Sequence, residues 1–251
     1  MSRKLTKIYG YGWVGKAMKE LFPDALLQDP LQGYRNDKVA DVAFVCVPTP
    51  NLSDGSLDMS FVESVVKQAK EDLIIIRSAT QPGTADRLEK ELKKNLVVQP
   101  EYLGESVAHP LLDETKRQFL ILGGKPENRR KAIELYQQVY NANITIRQVT
   151  NLEAEVIKLS ENRAIMFKVA QCQELYDACE KAKVDYYTVV QAVYGDDPRF
   201  NTFWTFVYPE NRGANSKCIP KDVLAWSSWA GKPELTEAML SYNQGLLSEN
   251  S

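Results

Sequence analysis

Cysteine is scarce in this chain, with four residues in 251. Cys46, Cys172, Cys179 and Cys218 follow no metal-site spacing and are too few for a dense disulfide framework, so neither a metal nor a disulfide scaffold is expected. Long hydrophobic runs are also missing, and none approaches the ~18 apolar residues that a membrane span needs. The first residues, Met-Ser-Arg-Lys-Leu-Thr-Lys, lead into a short apolar stretch broken at Gly10. That stretch is too short for a secretory signal and carries no small-residue cleavage site. A charge excess is lacking too: 31 basic against 33 acidic residues give a net charge of −2. With no global field, neither nucleic acid nor an anionic membrane surface is an expected partner. The basic run Arg129-Arg130-Lys131 reads as the solvated face of a helix. These absences together point to a cytoplasmic protein with reduced thiols, and the chain holds neither an internal repeat nor a low-complexity segment.

What remains is ordinary globular composition, 44% hydrophobic and 25% charged, long enough for one large domain or two modest ones. The first half alternates strand-like with helix-like runs, the pattern of a parallel sheet with crossover helices. Strands are predicted over residues 5–9, 25–28, 42–47, 73–76, 96–98, 119–122 and, as a short last one, 144–146. The run at 42–47 is almost continuously apolar, as for a strand buried on both faces. Helices are predicted over 14–22, from Asp58 as N-cap through Lys70, and over 126–140. From about Thr150 the pattern turns all-helical. Thr150 and Glu153 form a capping box, and apolar residues recur at helical period to about Lys183 without Pro or Gly. Shorter helices are predicted from Asp185, from about Lys221 and from about Pro233, separated by an aromatic-rich loop region over 195–217. The expected division is residues 1–149 for a nucleotide-binding domain and 150–251 for a helical one.

Gly10-Tyr11-Gly12-Trp13-Val14-Gly15 has GxGxxG spacing and lies between the first predicted strand and helix. Glycines there allow a tight turn and bring backbone N–H groups close to a pyrophosphate at the helix N-terminus. Asp29 falls at the end of the second predicted strand, where a carboxylate accepts hydrogen bonds from the adenosine ribose hydroxyls and repels a 2′-phosphate. The fold class is therefore α/β: an N-terminal Rossmann-like, doubly wound parallel sheet, followed by an all-helical domain with a long helix. The expected cofactor is NAD. A glycine-rich turn without a ligand is the bland alternative.

Five further segments occur in order: Val47-Pro48-Thr49-Pro50, Arg77 to Thr84 (RSATQPGT), Pro100 to Ser106 (PEYLGES), Glu155 to Asn162 (EVIKLSEN) and Cys218-Ile219-Pro220-Lys221-Asp222. With the glycine turn they resemble the UDP-glucose/GDP-mannose dehydrogenase family over nearly the whole chain, and the Cys-x-Pro-Lys-Asp segment is the most specific. The resemblance implies a two-step, NAD-dependent oxidation of a nucleotide-sugar primary alcohol to a carboxylate. It implies Cys218 as the nucleophile that forms a thiohemiacetal and then a thioester. Lys217 and Lys221 flank Cys218 and can favour its thiolate. Cys46, Cys172 and Cys179 read instead as small buried apolar residues.

The same resemblance assigns Lys158 and Asn162, four apart on one helix face, to the reacting oxygen. It assigns Asp222 to a bound water and Glu105 to thioester hydrolysis. Cofactor contacts are implied for Gly10, Tyr11, Gly12, Trp13, Val14, Gly15, Asp29, Val47, Pro48, Thr49, Ser78, Glu105 and Lys221. Substrate contacts are implied for Glu101, Tyr102, Leu103, Lys158, Asn162, Arg199 and Gly213, with Arg199 reaching the site of a partner subunit. Bland readings stand beside these: a solvated Lys158, an Asp222 that complements the helix dipole, loop carboxylates at Glu101 and Glu105.

Departures from the family pattern are Ala79 in place of a threonine, Gly104 in place of a basic residue, and a loop before Cys218 that keeps only Gly213 of three glycines. The sequence also stops where the family continues into a C-terminal nucleotide-gripping domain, so that domain is expected to be missing. Two other functions remain open on these grounds. One is a catalytically impaired module that binds NAD or a nucleotide sugar; the other is a 3-hydroxyacid dehydrogenase-like enzyme, which needs no Cys218. A homodimer through the long apolar-striped helix is expected.

Overall fold

The computed structural model describes residues 4–104, 111 and 113–249. The chain divides into two compact units, one comprising residues 1–52 and 57–158, the other residues 53–56 and 159–251. In the first unit seven strands form one sheet: β1 (Thr6–Tyr9), β2 (Leu26–Gln28), β3 (Val42–Val45), β4 (Leu73–Ile76), β5 (Leu96–Val98), β6 (Phe119–Gly124) and β7 (Thr145–Val149). Their order is β2-β1-β3-β4-β5-β6-β7. The strands from β2 to β5 pair in parallel, in registers such as Ile8 with Phe44 and Phe44 with Ile75. The order reverses at β1, which has β2 on one side and β3 on the other. In open α/β sheets a ligand site lies beyond the strand ends at such a switch point.

The apolar runs explain the layering. Alternate residues of each strand go to opposite faces. Ile8, Phe44, Ile75, Val97 and Leu120 pack with α1 (Trp13–Leu21) and, through Ala132, Leu135 and Tyr136, with the later helix Pro126–Tyr136. Tyr9, Val45, Ile74, Ile76 and Leu96 pack on the other face with α2 (Ser60–Gln68) and α3 (Thr84–Leu92). Helix Pro126–Tyr136 is α4. Each fully buried aliphatic side chain contributes about 1.5–3 kcal/mol relative to leaving it exposed, so the strands need no help from intrinsic propensity.

The sheet departs from a purely parallel one at β6, which runs antiparallel to β5 through Val97 with Gly124 and Val98 with Gly123. The reason is the connection: among the described residues between β5 and β6 the only helical element is a 3-10 turn at Glu114–Lys116, with no crossover helix to carry the chain back. Helix α4 then provides a crossover, and β7 pairs with β6 in parallel.

Several element ends differ from the expected ones. Helix α2 starts at Ser60 with Met59 as N-cap, because Asp58 accepts from the Ser60 N–H two residues on (2.9 Å) and so forms a local turn. Helix α4 stops at Tyr136 instead of 140, and β7 extends to Val149 instead of 146. Arg129 is not a solvated cation: its Nη1 donates to the carbonyls of Gly124 and Val149, each at 2.7 Å.

Helix α5 (Asn151–Ala182) is one uninterrupted helix of 32 residues that begins in the first unit and continues into the second. Its start carries the expected capping box. The Thr150 N–H donates to Glu153 at 2.7 Å, and the Glu153 N–H donates to Thr150 Oγ1 at 3.2 Å. The second unit adds α6 (Tyr186–Val190), a π-turn at Gln191–Gly195, α7 (Ile219–Trp229) and α8 (Glu234–Glu249). Met166, Ala214, Val223 and Met239 form one of its cores, and Cys172, Cys179, Tyr186, Val190, Tyr194 and Val207 form another. Cys46, Cys172 and Cys179 are buried and Cys218 is exposed. No helix among the described residues is long and apolar enough to cross a membrane.

Candidate functional site

The first unit gathers the glycine turn around the end of β1. Gly10 has φ +89°, and a Cβ there would lie 2.6 Å from the Cys46 carbonyl oxygen. A Cβ on Gly15 would lie 2.1 Å from the Gly10 carbonyl. These two glycines are demanded by the fold itself. Gly12 is different: it is the N-cap of α1 without a side-chain cap bond, and a Cβ on it would meet nothing within 4 Å. Space in front of a helix N-terminus with no side chain in it is the cradle that a pyrophosphate fills. Trp13 and Val14 open the helix behind it.

Asp29 follows β2 directly, and its Oδ2 accepts from the Tyr11 N–H of the glycine turn at 2.8 Å. The carboxylate is thereby fixed beside the cradle at the switch point, and the residues present fit an adenine dinucleotide. At the next strand exits, Ser78 Oγ donates to the Val47 carbonyl at 2.7 Å, tying the ends of β4 and β3 together. Thr49 is buried and Pro48 exposed.

A buried charged network that sequence reasoning missed lies after β4. Arg77 is 0% exposed; it donates to Glu101 and, at 3.2 Å, to Glu114. Arg117 holds Glu114 through two bonds of 2.9 and 2.7 Å and lies 3.6 Å from Glu101. Tyr140 OH donates to Glu114 Oε1 at 3.1 Å. Burial works to raise the Glu101 carboxyl, but Arg77 and Arg117 win and hold it below the usual carboxylate range. Glu101 also accepts from the N–H groups of Tyr102 (2.6 Å) and Leu103 (2.5 Å). Its carboxylate therefore organises the loop it sits on. The one available signal was an arginine closing the apolar run Leu73–Ile76, since a cation there needs buried partners.

Two cations lie over the Tyr102 ring, Arg117 at 5.4 Å and Lys158 at 5.2 Å from its centroid. Glu105 lies outside the described residues. Burial pushes the Cys46 thiol up to about 12, so it is no candidate nucleophile. Three residues before Lys158, Glu155 is 1% exposed and accepts from the N–H groups of Gly83 (2.6 Å) and Ala85 (2.9 Å) at the start of α3. Burial pushes its carboxyl up to about 7 against the pull of those two bonds.

In the second unit Asn162 Nδ2 donates to Asp222 Oδ2 at 2.6 Å, and Lys221 Nζ donates to Asp222 Oδ1, also at 2.6 Å. Asp222 is 1% exposed. Lys221 is thus the cation paired with the buried Asp222 carboxylate. Cys218 is the N-cap of α7, with Pro220 in the first turn. Ser216 Oγ accepts from the Ile219 N–H at 3.2 Å, so the residue standing where glycine is expected caps the helix.

Gly213 has φ +82° and keeps its place in the loop. The following residue is gripped from α8: Asn243 Oδ1 accepts from the Ala214 N–H at 2.7 Å and its Nδ2 donates to the Ala214 carbonyl at 3.1 Å. That clamp, too, was not legible in advance. Arg199 is exposed, and its guanidinium bonds to Asp197, with Nε at 3.0 Å. Lys158 and Asn162 occupy successive turns of α5.

A switch-point glycine turn with an acidic partner, followed by a long helix and a helical unit, defines a two-part dinucleotide-binding protein. Comparison with known sequences is more specific. Residues 9–143 match the UDP-glucose/GDP-mannose dehydrogenase family, NAD binding domain, and residues 152–244 match the central domain of that family. The chain belongs to this family, and NAD is the cofactor of the matched domain. It is 35% identical over 181 residues to an uncharacterized protein of Methanocaldococcus jannaschii, covering 66% of this chain and 20% of that one. It is 27% identical over 203 residues to the UDP-glucose 6-dehydrogenase of Rhizobium meliloti, covering 74% and 45%. The chain therefore spans less than half the length of these relatives. Its fold resembles a UDP-glucose dehydrogenase of Pyrobaculum islandicum, with TM-score 0.78 at 20% identity, over 97% of this chain and 68% of the other.

Proposed function

We propose that the chain oxidises the primary alcohol of a nucleotide sugar to a carboxylate, in two NAD-dependent steps, with residues 1–149 holding the cofactor and residues 150–251 carrying the reactive cysteine. The observation that carries this reading is the buried Asn162–Asp222 contact, with Cys218 one helical turn before Asp222 at the start of α7. An amide locked by a carboxylate faces one way only, so Asn162 presents a fixed set of polar atoms to a substrate oxygen.

NAD, when bound, supplies the hydride acceptor, and Gly10, Gly12, Gly15 and Asp29 hold it. Lys158 and Asn162 stabilise the negative charge that develops on the substrate oxygen as its proton leaves. Asp222 orients Asn162 and, with a water, takes part in moving that proton. The Cys218 thiolate, at a position where the helix dipole favours an anion, adds to the aldehyde carbon and gives a thiohemiacetal. Oxidation of the thiohemiacetal yields a thioester. Water then attacks the thioester carbon with help from Glu105, releasing the carboxylate and restoring the thiol. Thr49, Ser78 and Val47 line the cofactor side. Tyr102 and Leu103 contact substrate from the loop that Glu101 organises.

A homodimer through α5 completes the reading. Ile165, Phe167, Val169 and Ala170 are half-buried on that helix, the last three packed against the Met166–Val223 core of their own unit, and a second copy covers the area they leave open, with Arg199 extending toward the partner's substrate. Light scattering at micromolar concentration is expected to give the dimer mass; a monomer counts against it. The activity test is NADH absorbance with a panel of sugar nucleotides, wild type against Cys218→Ser. Two NADH per substrate, lost or stalled in the variant, is the expected result. NAD binding without any turnover by the folded dimer favours a cofactor-binding module, and turnover that survives Cys218→Ser favours hydroxyacid-type chemistry.

A further inference from the structure

A tyrosine on the loop after β5 joins the buried ion network to the lysine near the start of α5. Tyr102 is 7% exposed. Its backbone is fixed, because the Tyr102 and Leu103 N–H groups both donate to Glu101 and the Gly104 N–H donates to the Leu111 carbonyl at 2.9 Å. Its ring is fixed as well. The Phe119 ring at the start of β6 packs on it, with centroids 5.2 Å apart at 52°. The Arg117 guanidinium lies 5.4 Å from the Tyr102 centroid and 5.7 Å from that of Phe119. Arg117 is itself held by Glu114 through two bonds, so it cannot follow a moving ring.

The Lys158 ammonium lies over this ring, 5.2 Å from its centroid and inside the ~6 Å reach of a cation–π attraction. Lys158 is half-buried, and a lysine stem has much rotamer freedom to lose before its charge points one way. Glu101 also attracts that charge, but its carboxylate already serves Arg77, Arg117 and two N–H groups. The ring is thus the surface that aims the ammonium. We propose that Tyr102 is a positioning residue: its ring, locked by Arg117 and Phe119, holds the Lys158 ammonium where negative charge develops on the substrate oxygen. The proposal rests on the oxidation reading of Lys158. An ammonium already in place stabilises that charge without reorganising as the proton leaves. The ring does this and the phenol oxygen does not, so phenylalanine should serve and an aliphatic side chain should not.

Two measurements on the full chain test it. In the first, lysine carries a carbon-13 label at Cε, and the Lys158 NMR signal is assigned by its loss in Lys158→Arg. A ring beneath the ammonium shifts that signal upfield. Tyr102→Phe should keep the shift and Tyr102→Leu should abolish it. In the second, NADH formation from a nucleotide sugar gives kcat and KM. Tyr102→Leu is expected to lower kcat about tenfold and to leave KM within about twofold, because the charge on oxygen exists only in the transition state. Tyr102→Phe should recover most of that loss. A ring that only touched substrate would instead raise KM and leave the Lys158 signal where it was. An unshifted Lys158 signal in wild type overturns the proposal whether or not any Tyr102 variant folds. A folded Tyr102→Leu chain with the wild-type kcat also overturns it, and the oxidation reading then survives. If folded wild type with NAD bound forms no NADH from any nucleotide sugar, the oxidation reading falls and the positioning role with it, and a shifted Lys158 signal then marks a structural contact.

Discussion

Replacing Glu155 by glutamine should stabilise this protein above neutral pH, although the substitution removes a buried hydrogen-bonding charge. Glu155 joins the start of α5 to the N-terminus of α3 through the N–H groups of Gly83 and Ala85. Burial outweighs those two bonds, and Asp86 adds repulsion, so the carboxyl titrates at about 7 in the folded chain against an ordinary 4.5. Between those two values the folded state keeps a proton that the unfolded state has released. Stability therefore falls as pH rises through that window and levels off above about 7. At 1.36 kcal/mol per pH unit the difference amounts to about 3 kcal/mol. Glutamine resembles the protonated acid and does not titrate. Urea unfolding followed by tryptophan fluorescence, at intervals from pH 4.5 to 8.5, should show wild type and Glu155→Gln nearly equal at the acid end. The variant should then gain steadily, to about 3 kcal/mol, by pH 8. Differences between the two chains cancel all other titrating groups. Parallel profiles, or a variant that loses ground as pH rises, would refute the assignment of burial as the dominant cause.

The glycine turn makes a paired prediction. Gly10→Ala forces a side chain into φ +89° and against the Cys46 carbonyl, and should lower the thermal midpoint or prevent folding, as seen by circular dichroism. Gly12→Ala, with open space around its Cβ, should fold normally and weaken NAD about tenfold by calorimetry, because it fills the phosphate cradle. Glu114→Gln leaves Arg77 and Arg117 buried with one carboxylate in place of two, and should cost about 3–5 kcal/mol in urea unfolding. Asp222→Asn releases both Asn162 and Lys221 and should reduce kcat about 100-fold with NAD affinity unchanged.

Local signals carried much of the architecture. The apolar runs at β3 and β4 are buried on both faces, the capping box at Thr150 and Glu153 is made, and the GxGxxG turn leads from β1 into α1. Each of these is encoded within a few adjacent residues. The unforeseen features are pairings between distant ones. Arg77 finds Glu114 37 positions away, and Ala214 finds Asn243 29 positions away. No periodicity or spacing rule points from one member of such a pair to the other. The direction of β6 was hidden for a related reason, since the residues of a strand do not encode the sense in which it meets its neighbour. The contact of Lys221 with Asp222 was hidden too, because a cation between a cysteine and an aspartate has two possible partners and the sequence does not say which it touches.

The grip of Asn243 on Ala214 also fixes an order of events during synthesis. The loop ahead of Cys218 depends on a side chain of α8 that the ribosome adds 29 residues after Ala214. The sheet of the first unit can pack while the chain is still growing, as N-terminal parts generally do. The segment around the thiol, by contrast, waits for residue 243 to emerge. A nascent or prematurely ended chain would carry the exposed Cys218 on a loop whose Ala214 backbone groups nothing from α8 yet holds.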